Sequence, residues 1–382
     1  MSIDLTPRWQ DEEVSIFRDS VGRFLEADMA PHDEQARKEG NVGHAMWCKV
    51  GEMGLLCTDI PEQYGGAGGD FRHEAVVAEE MGKRGLTGLN HSVHSIVAHY
   101  FLNHGTSEQK QKYLPRMARG ELVGAIAMTE PGTGSDLQNI RTHAKKDGDH
   151  YVINGSKTFI SNGFLAGVVL VCVKTDTSQG AKGISIMVVE TENQRGFKVG
   201  RVLDKIGLKA QDTAELFFED VRIHESQLLG SVEGKGFAQL MGDLPYERLF
   251  IGVSALAAME GAYHATLDFV RERTAFGKPI ADFQNTKFKL ADIATTLKVG
   301  RAFIDECVED MCEGKLDTAK ASMAKLWGSE NQCQVIDECL QLFGGYGYMS
   351  EYMISRMYTD ARIQRIYGGT NEIMKEVISR SL

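Results

Sequence analysis

The chain has 382 residues, of which 42% are hydrophobic, and its formal charge is -11. A chain of this length exceeds what one hydrophobic core usually serves, so a globular protein of two or three domains is expected. The acidic balance argues against a general nucleic-acid or anionic-membrane surface, because such partners require clustered positive charge. A local basic pocket for phosphate is still compatible with this composition.

The cysteine pattern and the two termini bear on the cellular compartment. The seven cysteines form no Cys-x-x-Cys pair and are odd in number, which argues against a disulfide framework or a zinc site. The acidic start, MSIDLTPRWQDEEV, lacks an apolar signal core, and no stretch reaches the roughly 18 apolar residues of a membrane span. The ending Arg380-Ser381-Leu382 is close to a peroxisomal tripeptide but does not match it. A cytoplasmic location in a bacterium is therefore favoured.

The region from Asp11 to about Glu121 has a helical pattern, because its apolar residues recur at spacings of three and four. The glycine-rich run Pro61–Gly69 contains no GxGxxG after a strand, so a structural loop is expected there and not a dinucleotide cradle. The pattern predicts helices over 14–25, 47–55, 72–81, 91–102 and 107–117.

Between about Leu122 and Leu229 the periodicity is that of β-strands. The sequence predicts strands over 168–173, 184–189 and 214–218, a turn within Tyr151–Lys157, and a solvated turn at Lys145-Lys146. Short strands without long helices between them indicate a mainly antiparallel barrel or sandwich.

The helical period returns after Gly230. Pro245 interrupts the first apolar stripe and predicts a kink or a restart of that helix. Further helices are predicted over 283–312, 317–343 and 369–379. The expected fold class is α+β, mainly α. Its predicted parts are an N-terminal helical domain (1–121), a middle antiparallel β domain (122–229) and a C-terminal four-helix bundle (230–382).

Two segments of the predicted β domain concentrate hydroxyl groups, turn residues and exposed backbone N–H groups. They are Thr129-Glu-Pro-Gly-Thr-Gly-Ser-Asp136 and Lys157-Thr-Phe-Ile-Ser-Asn162. Such loops can donate hydrogen bonds to a flat heteroaromatic edge, although composition alone favours structural loops. Their order resembles the flavin loops of the acyl-CoA dehydrogenase family. In that family an aromatic residue covers the flavin and a hydroxyl group bonds near N5; Phe159 and Ser161 occupy these positions, where many relatives have Trp and Thr.

The resemblance extends into the predicted bundle. The segment from Arg271 to Gln284 is similar to the family segment that contacts the flavin pyrophosphate and adenosine, and Gln341–Gly347 is similar to one that approaches the adenosine of a neighbouring subunit. Read without the family, the first is a solvated helix end and the second a helix C-terminus. Together the resemblance assigns FAD contacts to Met128, Thr129, Gly134, Ser135, Phe159, Ile160, Ser161, Arg273, Phe276, Gln284, Gln341, Leu342, Gly344, Gly345, Thr370 and Glu372.

Glu247 is the candidate catalytic base. Burial of a glutamate on a helix raises its pKa toward neutrality, which makes it a better base. The alternative interpretation is an ion pair with Arg248 or a neighbouring basic residue. Many family members carry the base in a YEGT-like turn, but this chain has Tyr367-Gly-Gly-Thr370. The long-chain and isovaleryl branches place the base where Glu247 stands, and the chain resembles the long-chain branch.

The resemblance implies FAD-dependent α,β-dehydrogenation of an acyl-CoA to the trans-2-enoyl-CoA in fatty-acid or branched-acid catabolism. Glu247 removes the α-proton, hydride passes to flavin N5, and the backbone N–H of Gly368 with a ribityl hydroxyl polarises the thioester carbonyl. The implied acceptor is an electron-transfer flavoprotein, and the implied assembly is a homotetramer built as two dimers. Substrate contacts fall on Ser135, Tyr246, Arg248, Gly369 and Arg380.

Two other functions are compatible with these motifs. An acyl-CoA oxidase would use the same residues, and a catalytically inactive flavin-bound scaffold would keep the flavin loops without turnover. His91 and His94 lie one helical turn apart, but they have no acidic or cysteine partner in sequence. A pocket wall or a solvated helix face is expected for them, and no metal site.

Overall fold

The computed structural model describes residues 3–382, and its N-terminal part is helical. Asp11 accepts a hydrogen bond from the N–H of Val14 and so caps the first helix, and Thr106 caps the sixth in the same way through Gln109. The six helices are α1 (Glu12–Phe24), α2 (Asp33–Glu39), α3 (His44–Glu52), α4 (Phe71–Lys83), α5 (His91–His104) and α6 (Ser107–Ala118).

The middle part is a seven-stranded sheet. Its strands are β1 (Gly124–Ala127), β2 (His143–Asp147), β3 (His150–Ser161), β4 (Val168–Lys174), β5 (Ile184–Glu190), β6 (Phe197–Val202) and β7 (Thr213–His224). The sheet order is β1-β4-β2-β3-β7-β6, with β5 paired to β4. Pairing is mainly antiparallel, but β1 and β2 each run parallel to β4.

Strand β4 is buried along its whole length because its two faces pack in different cores. Val168, Leu170 and Cys172 point into the core shared with the helices, whereas Val169 and Val171 point into a separate core between the strands. This alternation follows from the two-residue period of a strand. The sheet is thereby fixed against the helical part that carries the site.

The C-terminal part is again helical. A two-residue hairpin of β8 (Thr274–Ala275) and β9 (Lys278–Pro279) separates its first two helices. The helices are α7 (Gly236–Glu272), α8 (Gln284–Cys312), α9 (Thr318–Phe343), α10 (Met353–Ala361) and α11 (Asn371–Ser379). Helix α7 packs against α4, α5, α8 and α9 and is the central element of the molecule.

Two local predictions were wrong, and at Pro245 the restart, one of the two predicted alternatives, is excluded. Helix α7 passes through Pro245 without a restart; the proline leaves one carbonyl without its helical donor, but packing on several sides holds the helix. Tyr151–Lys157 lies within the continuous strand β3, which absorbs Gly155 (φ +147°) in an irregularity of its pairing with β7. Lys145 and Lys146 are exposed residues of β2 and not a turn.

The predicted fold class is confirmed. The borders at 121/122 and 229/230 stay predictions; the nearest regular elements begin at Gly124 and Gly236. Across the described residues, none of the helices has both the length and the apolar character that a bilayer crossing requires.

Candidate active site

The carboxyl group of Glu247 lies in the buried middle of α7. Its residue is 8% exposed, and its Oε1 accepts a hydrogen bond of 3.0 Å from the hydroxyl of Tyr100 on α5. Burial raises the pKa of Glu247 to about 7; the Tyr100 hydrogen bond opposes this rise, Asp243 adds to it, and Arg248 opposes it. A carboxyl group that titrates near neutrality can act as a base and then release its proton.

Asp243 stands one helical turn before Glu247, on the same helix. Its carboxylate accepts hydrogen bonds from Asn103 Nδ2 at 2.6 Å and His104 Nε2 at 2.8 Å, both from α5. One face of α5 therefore holds the carboxyl groups of Asp243 and Glu247 in place. Tyr100, Asn103 and His104 together form this face.

The segment from Tyr367 to Asn371 faces the same side of α7. Gly368 has φ +63° and Gly369 has φ +89°, a backbone conformation that glycine adopts without strain. A Cβ at Gly368 would lie 2.5 Å from Cδ1 of Ile251, which is one helical turn beyond Glu247. The N–H of Gly368 has no acceptor within the described residues.

A buried lysine fixes this segment. Nζ of Lys325 on α9 donates to the carbonyl oxygen of Gly369 at 2.8 Å and to Oδ1 of Asn371 at 2.7 Å. Burial, with the nearby Arg248 guanidinium as a smaller cause, lowers the pKa of Lys325 to about 8. The two glycines are thus anchored through their neighbours on one side and packed against α7 on the other.

The two segments predicted as flavin loops lie side by side. The N–H of Thr158 donates to the carbonyl oxygen of Thr129 at 3.0 Å, and Nζ of Lys157 donates to the carbonyl of Met128 at 3.0 Å and to Oε1 of Glu130 at 2.9 Å. Glu130 also accepts from two backbone N–H groups, those of residues 141 and 142. The loop is therefore held from behind, while Gly134 and Ser135 are exposed.

The geometry of these loops fits a flat apolar ring. Phe159 is 66% exposed and has φ +60°, so the fold presents an aromatic face outward at the cost of an unfavourable backbone conformation. Ser161 Oγ lies 3.4 Å from Nε2 of Gln211, and Ile160 is buried beneath it. A Cβ at Gly134 would meet nothing within 4 Å, which leaves open space above the loop.

A separate cavity of about 490 Å³ gathers the residues predicted at the adenosine end. Arg273 lines it together with the predicted contacts Gln341, Leu342, Gly344 and Gly345. Phe276 and Gln284 do not line it, and Phe276 is 96% exposed. None of the described residues that line this cavity comes from the loops around Thr129 and Phe159.

The predicted substrate contacts occupy different environments. The hydroxyl of Tyr246 donates to Oδ2 of Asp59 at 3.1 Å, and its ring stacks on His99 at 4.0 Å. Arg248 is 3% exposed and donates to Ser322 Oγ at 3.0 Å. No ion pair joins Arg248 to Glu247 in the described part of the chain.

The remaining predicted contacts lie in α11 or at its two caps. Thr370 Oγ1 accepts from the N–H of Ile373 and caps the helix, and Glu372 lies exposed in its first turn. Arg380, at the other end, is exposed and pairs with Glu376 at 3.0 Å. These three residues therefore lie along one short helix and its caps, directly after the Gly368–Gly369 segment.

His91 and His94, two of the four histidines of α5, lie close to polar groups of the protein. His94 accepts from the N–H of Gly124 through Nδ1 at 3.1 Å and donates through Nε2 to the carbonyl of Met117 at 3.1 Å, so it is a neutral core residue. Burial lowers the pKa of His94 to about 4. Nε2 of His91 lies 3.2 Å from Oε2 of Glu74. Within residues 3–382 no group of three candidate ligands is arranged to hold a metal ion.

A second cavity, of about 110 Å³, extends along α7 beyond Glu247. Phe250, Ser254 and Ala258 form one wall, and Tyr367 lies on another. Gln211, which approaches Ser161, also lines it. The cavity therefore borders both the segment next to the candidate base and the predicted flavin edge.

Comparison with known proteins identifies the family. The sequence models of the acyl-CoA dehydrogenase N-terminal, middle and C-terminal domains match residues 11–121, 125–221 and 234–382. The long-chain specific acyl-CoA dehydrogenase, mitochondrial, of Sus scrofa is 50% identical over 373 residues, which cover 97% of this chain and 86% of that protein.

Solved structures agree with the sequence matches. An acyl-CoA dehydrogenase from Geobacillus kaustophilus is similar with a TM-score of 0.95 and 46% identity, over 98% of this chain and 99% of that one. A glutaryl-CoA dehydrogenase from Mycobacterium smegmatis in complex with FADH2 is similar with a TM-score of 0.91 and 27% identity, over 98% and 95%. The chain belongs to the acyl-CoA dehydrogenase family of FAD-dependent oxidoreductases.

Proposed function

We propose that this protein dehydrogenates an acyl-CoA to the trans-2-enoyl-CoA, with Glu247 as the base that removes the α-proton. The observation that carries the proposal is the environment of Glu247, which is buried, has a pKa raised to about 7 and receives a hydrogen bond from Tyr100. At neutral pH such a group exists in both forms. It can therefore accept the α-proton and later release it without a large free-energy penalty in either direction.

The Gly368–Gly369 segment supports the second requirement of proton abstraction, which is stabilisation of the thioester oxygen. An α-proton becomes acidic only when the thioester oxygen is stabilised as negative charge develops on it. The N–H of Gly368 is free of protein acceptors in the described chain, and Lys325 holds the adjoining Gly369 and Asn371. This N–H is the proposed donor to the thioester oxygen.

The two loops of the β domain are the proposed contacts to the isoalloxazine ring. FAD, when bound, accepts at N5 the hydride that leaves the β-carbon. Phe159 would cover the ring, Ser161 would bond near N5, and the N–H groups of Thr129–Ser135 would meet its polar edge. Lys157 and Glu130 hold this loop in register with β3. The remaining assigned residues, Arg273 and Gln341 among them, stay proposed contacts to the adenosine end.

The cavity beyond Glu247 is the proposed site of the acyl chain. The α7 residues in its wall run from Phe250 to Ala258, so the wall extends for roughly 12 Å along the helix at about 1.5 Å per residue. This length suits a medium or long acyl chain better than a short one. The name of the Sus scrofa relative, long-chain specific acyl-CoA dehydrogenase, agrees with this choice.

A homotetramer built as two dimers and an electron-transfer flavoprotein as acceptor complete the proposal. The adenosine cavity is lined by no residue of the flavin loops, which is the arrangement expected if each FAD contacts two subunits. Phe288 and Val299 expose apolar side chains on α8, at 60% and 58%, and such residues suit a subunit interface. A cytoplasmic location stays a prediction; the seven free cysteines fit a reducing compartment.

The test is anaerobic bleaching of the flavin by acyl-CoAs of graded chain length and branching. The proposal expects rapid bleaching by at least one of them and little oxygen consumption in air. Rapid release of hydrogen peroxide would assign an oxidase instead. Failure of every acyl-CoA to bleach the flavin would favour an inactive scaffold.

A further inference from the structure

Part of the wall of the cavity along α7 is polar. Its wall includes Met81, Leu86 and Leu89, but besides Gln211 it also includes two glutamines of the C-terminal helical part: Gln332 of α9 and Gln364, which follows α10. They are 3% and 8% exposed. An acyl chain that ended in a methyl group would leave these amides without hydrogen bonds.

Both glutamines lack partners. Oε1 of Gln332 and Oε1 of Gln364 are buried and have no hydrogen-bond donor in the described chain. An unpaired buried polar atom destabilises the folded state, so such an atom in a cavity wall points to a partner that enters the cavity. An amide both donates and accepts, and a hydroxyl group complements it in both roles.

The charges around the cavity exclude an anionic partner. Asp360 lines it, is 7% exposed, and accepts from the N–H of Leu208 at 2.5 Å. None of the described lining residues is a lysine or an arginine. Arg37 faces Asp360 at 3.7 Å but also pairs with Asp33 at 2.7 Å. A second carboxylate, at the end of the acyl chain, would therefore be buried without a counter-charge of its own. A neutral hydrogen-bonding group meets no such penalty.

We propose that this cavity selects acyl-CoAs whose acyl chain carries a hydroxyl group at its far end, bound by Gln332 and Gln364. The inference rests on the proposed acyl-CoA dehydrogenation and adds its substrate class. Because Gln332 and Gln364 lie in the cavity wall, only acyl chains that are long enough to reach them benefit from the hydroxyl group. Shorter chains end before the glutamines.

The experiment compares pairs of acyl-CoAs of equal chain length, one ending in a methyl group and one in a hydroxyl group, over a graded series of lengths. The FAD-loaded enzyme is mixed with each under anaerobic conditions, and the apparent Kd is taken from the concentration dependence of flavin bleaching. The variants are Gln332→Met with Gln364→Met, which keep side-chain length and remove the amides. Gln334→Met is the matched control, because Gln334 is an exposed glutamine of the same helix.

The wild-type protein is expected to bind the hydroxylated thioester about three- to ten-fold more tightly than its methyl-terminated partner at one chain length, and without preference at shorter lengths. The paired methionine substitutions should reverse this preference, and Gln334→Met should keep it. Equal or weaker binding of every hydroxylated thioester to the wild-type protein overturns the inference and leaves a cavity filled by water. The comparison of the two kinds of thioester on the wild-type protein tests the inference even if the paired variant does not fold.

Failure of the proposed function has a different signature. If no thioester of either kind bleaches the flavin, acyl-CoA dehydrogenation itself is wrong and the inference falls with it. If methyl-terminated thioesters bleach the flavin well and hydroxylated ones bind no more tightly, the inference alone is wrong.

Discussion

The hydroxyl of Tyr100 donates to Oε1 of Glu247 across 3.0 Å, and neither residue is more than 8% exposed. The hydrogen bond joins α5 to α7 and leaves the second carboxyl oxygen of Glu247 for another partner. It also opposes the effect of burial, because a donor to the ionised carboxylate stabilises that form. Tyr100 is therefore a positioning residue that sets both the direction and the pKa of the base.

Tyr100→Phe should slow flavin reduction at neutral pH more than at alkaline pH. Loss of the donor raises the pKa of Glu247 above its present value of about 7, so a smaller fraction is ionised at pH 7. The rate of anaerobic bleaching, measured from pH 6 to pH 9 in stopped flow, should rise with pH along a curve displaced to higher pH than the wild-type curve. Superimposable curves would show that the hydroxyl has no influence on the base.

Glu247→Gln should make the protein more stable at alkaline pH. The pKa of Glu247 is about 7 in the folded protein and near 4.5 when exposed, so between these values the folded state binds more protons than the unfolded state. Stability therefore falls as pH rises through this window, by on the order of 3 kcal/mol for a shift of this size. The side-chain amide of the Glu247→Gln variant does not ionise, so the variant does not lose this stability as pH rises.

Thermal unfolding followed by circular dichroism, with FAD in excess, measures the difference. The Tm of Glu247→Gln should exceed that of the wild type at pH 8, and the gap should shrink at pH 5. A gap that is the same at both pH values would mean that ionisation of Glu247 is not its cause.

A glutamate placed at position 368 should replace the base at position 247, and it should do so better when space is made for its side chain. A Cβ at Gly368 meets Cδ1 of Ile251 at 2.5 Å, and φ +63° costs a non-glycine residue about 1–2 kcal/mol. In the Glu247→Gly background, Gly368→Glu should restore part of the flavin reduction, and the further change Ile251→Ala should restore more. The idea fails if neither combination reduces flavin faster than Glu247→Gly alone.

Lys157→Met should weaken FAD binding. The substitution removes the donor to Met128 and leaves the Glu130 carboxylate buried without its counter-charge. Loss of one member of a buried pair commonly costs about 3–5 kcal/mol. The flavin-to-protein absorbance ratio after gel filtration should drop, and the double variant with Glu130→Gln should retain more flavin. Equal flavin retention by the wild type and Lys157→Met would show that the Lys157–Glu130 pair does not support FAD binding.

The sequence predicted much of the fold because its period changes twice along the chain. The expected helices over 72–81 and 91–102 are present as 71–83 and 91–104, and the strand expected over 168–173 is present as 168–174. The restart considered at Pro245 and the turn predicted within Tyr151–Lys157 are both absent for one reason. Local rules describe what an isolated segment prefers, whereas packing of α7 and pairing of β3 with β7 override that preference.

The site was predictable only in part. Glu247 is recognisable as an acidic residue in an apolar helical stretch. Asp243, one turn earlier, is an acidic residue in the same stretch, but it was not among the predicted site residues. Tyr100 was missed because it lies 147 positions from Glu247, and its role depends on how α5 packs on α7. Lys325 was missed for the same reason; its only signal is a cation within the apolar stripe of a predicted helix.

The most direct test of the account is anaerobic flavin reduction by the Glu247→Gln variant, because the account makes Glu247 the base. The variant should bind FAD normally, and its reduction by the best acyl-CoA should be about 10²–10⁴-fold slower than in the wild type, as is usual when a general base is removed. Glu225→Gln, which changes an exposed glutamate of the β domain, should reduce at the wild-type rate. A Glu247→Gln enzyme that bleaches as fast as the wild type would contradict the account.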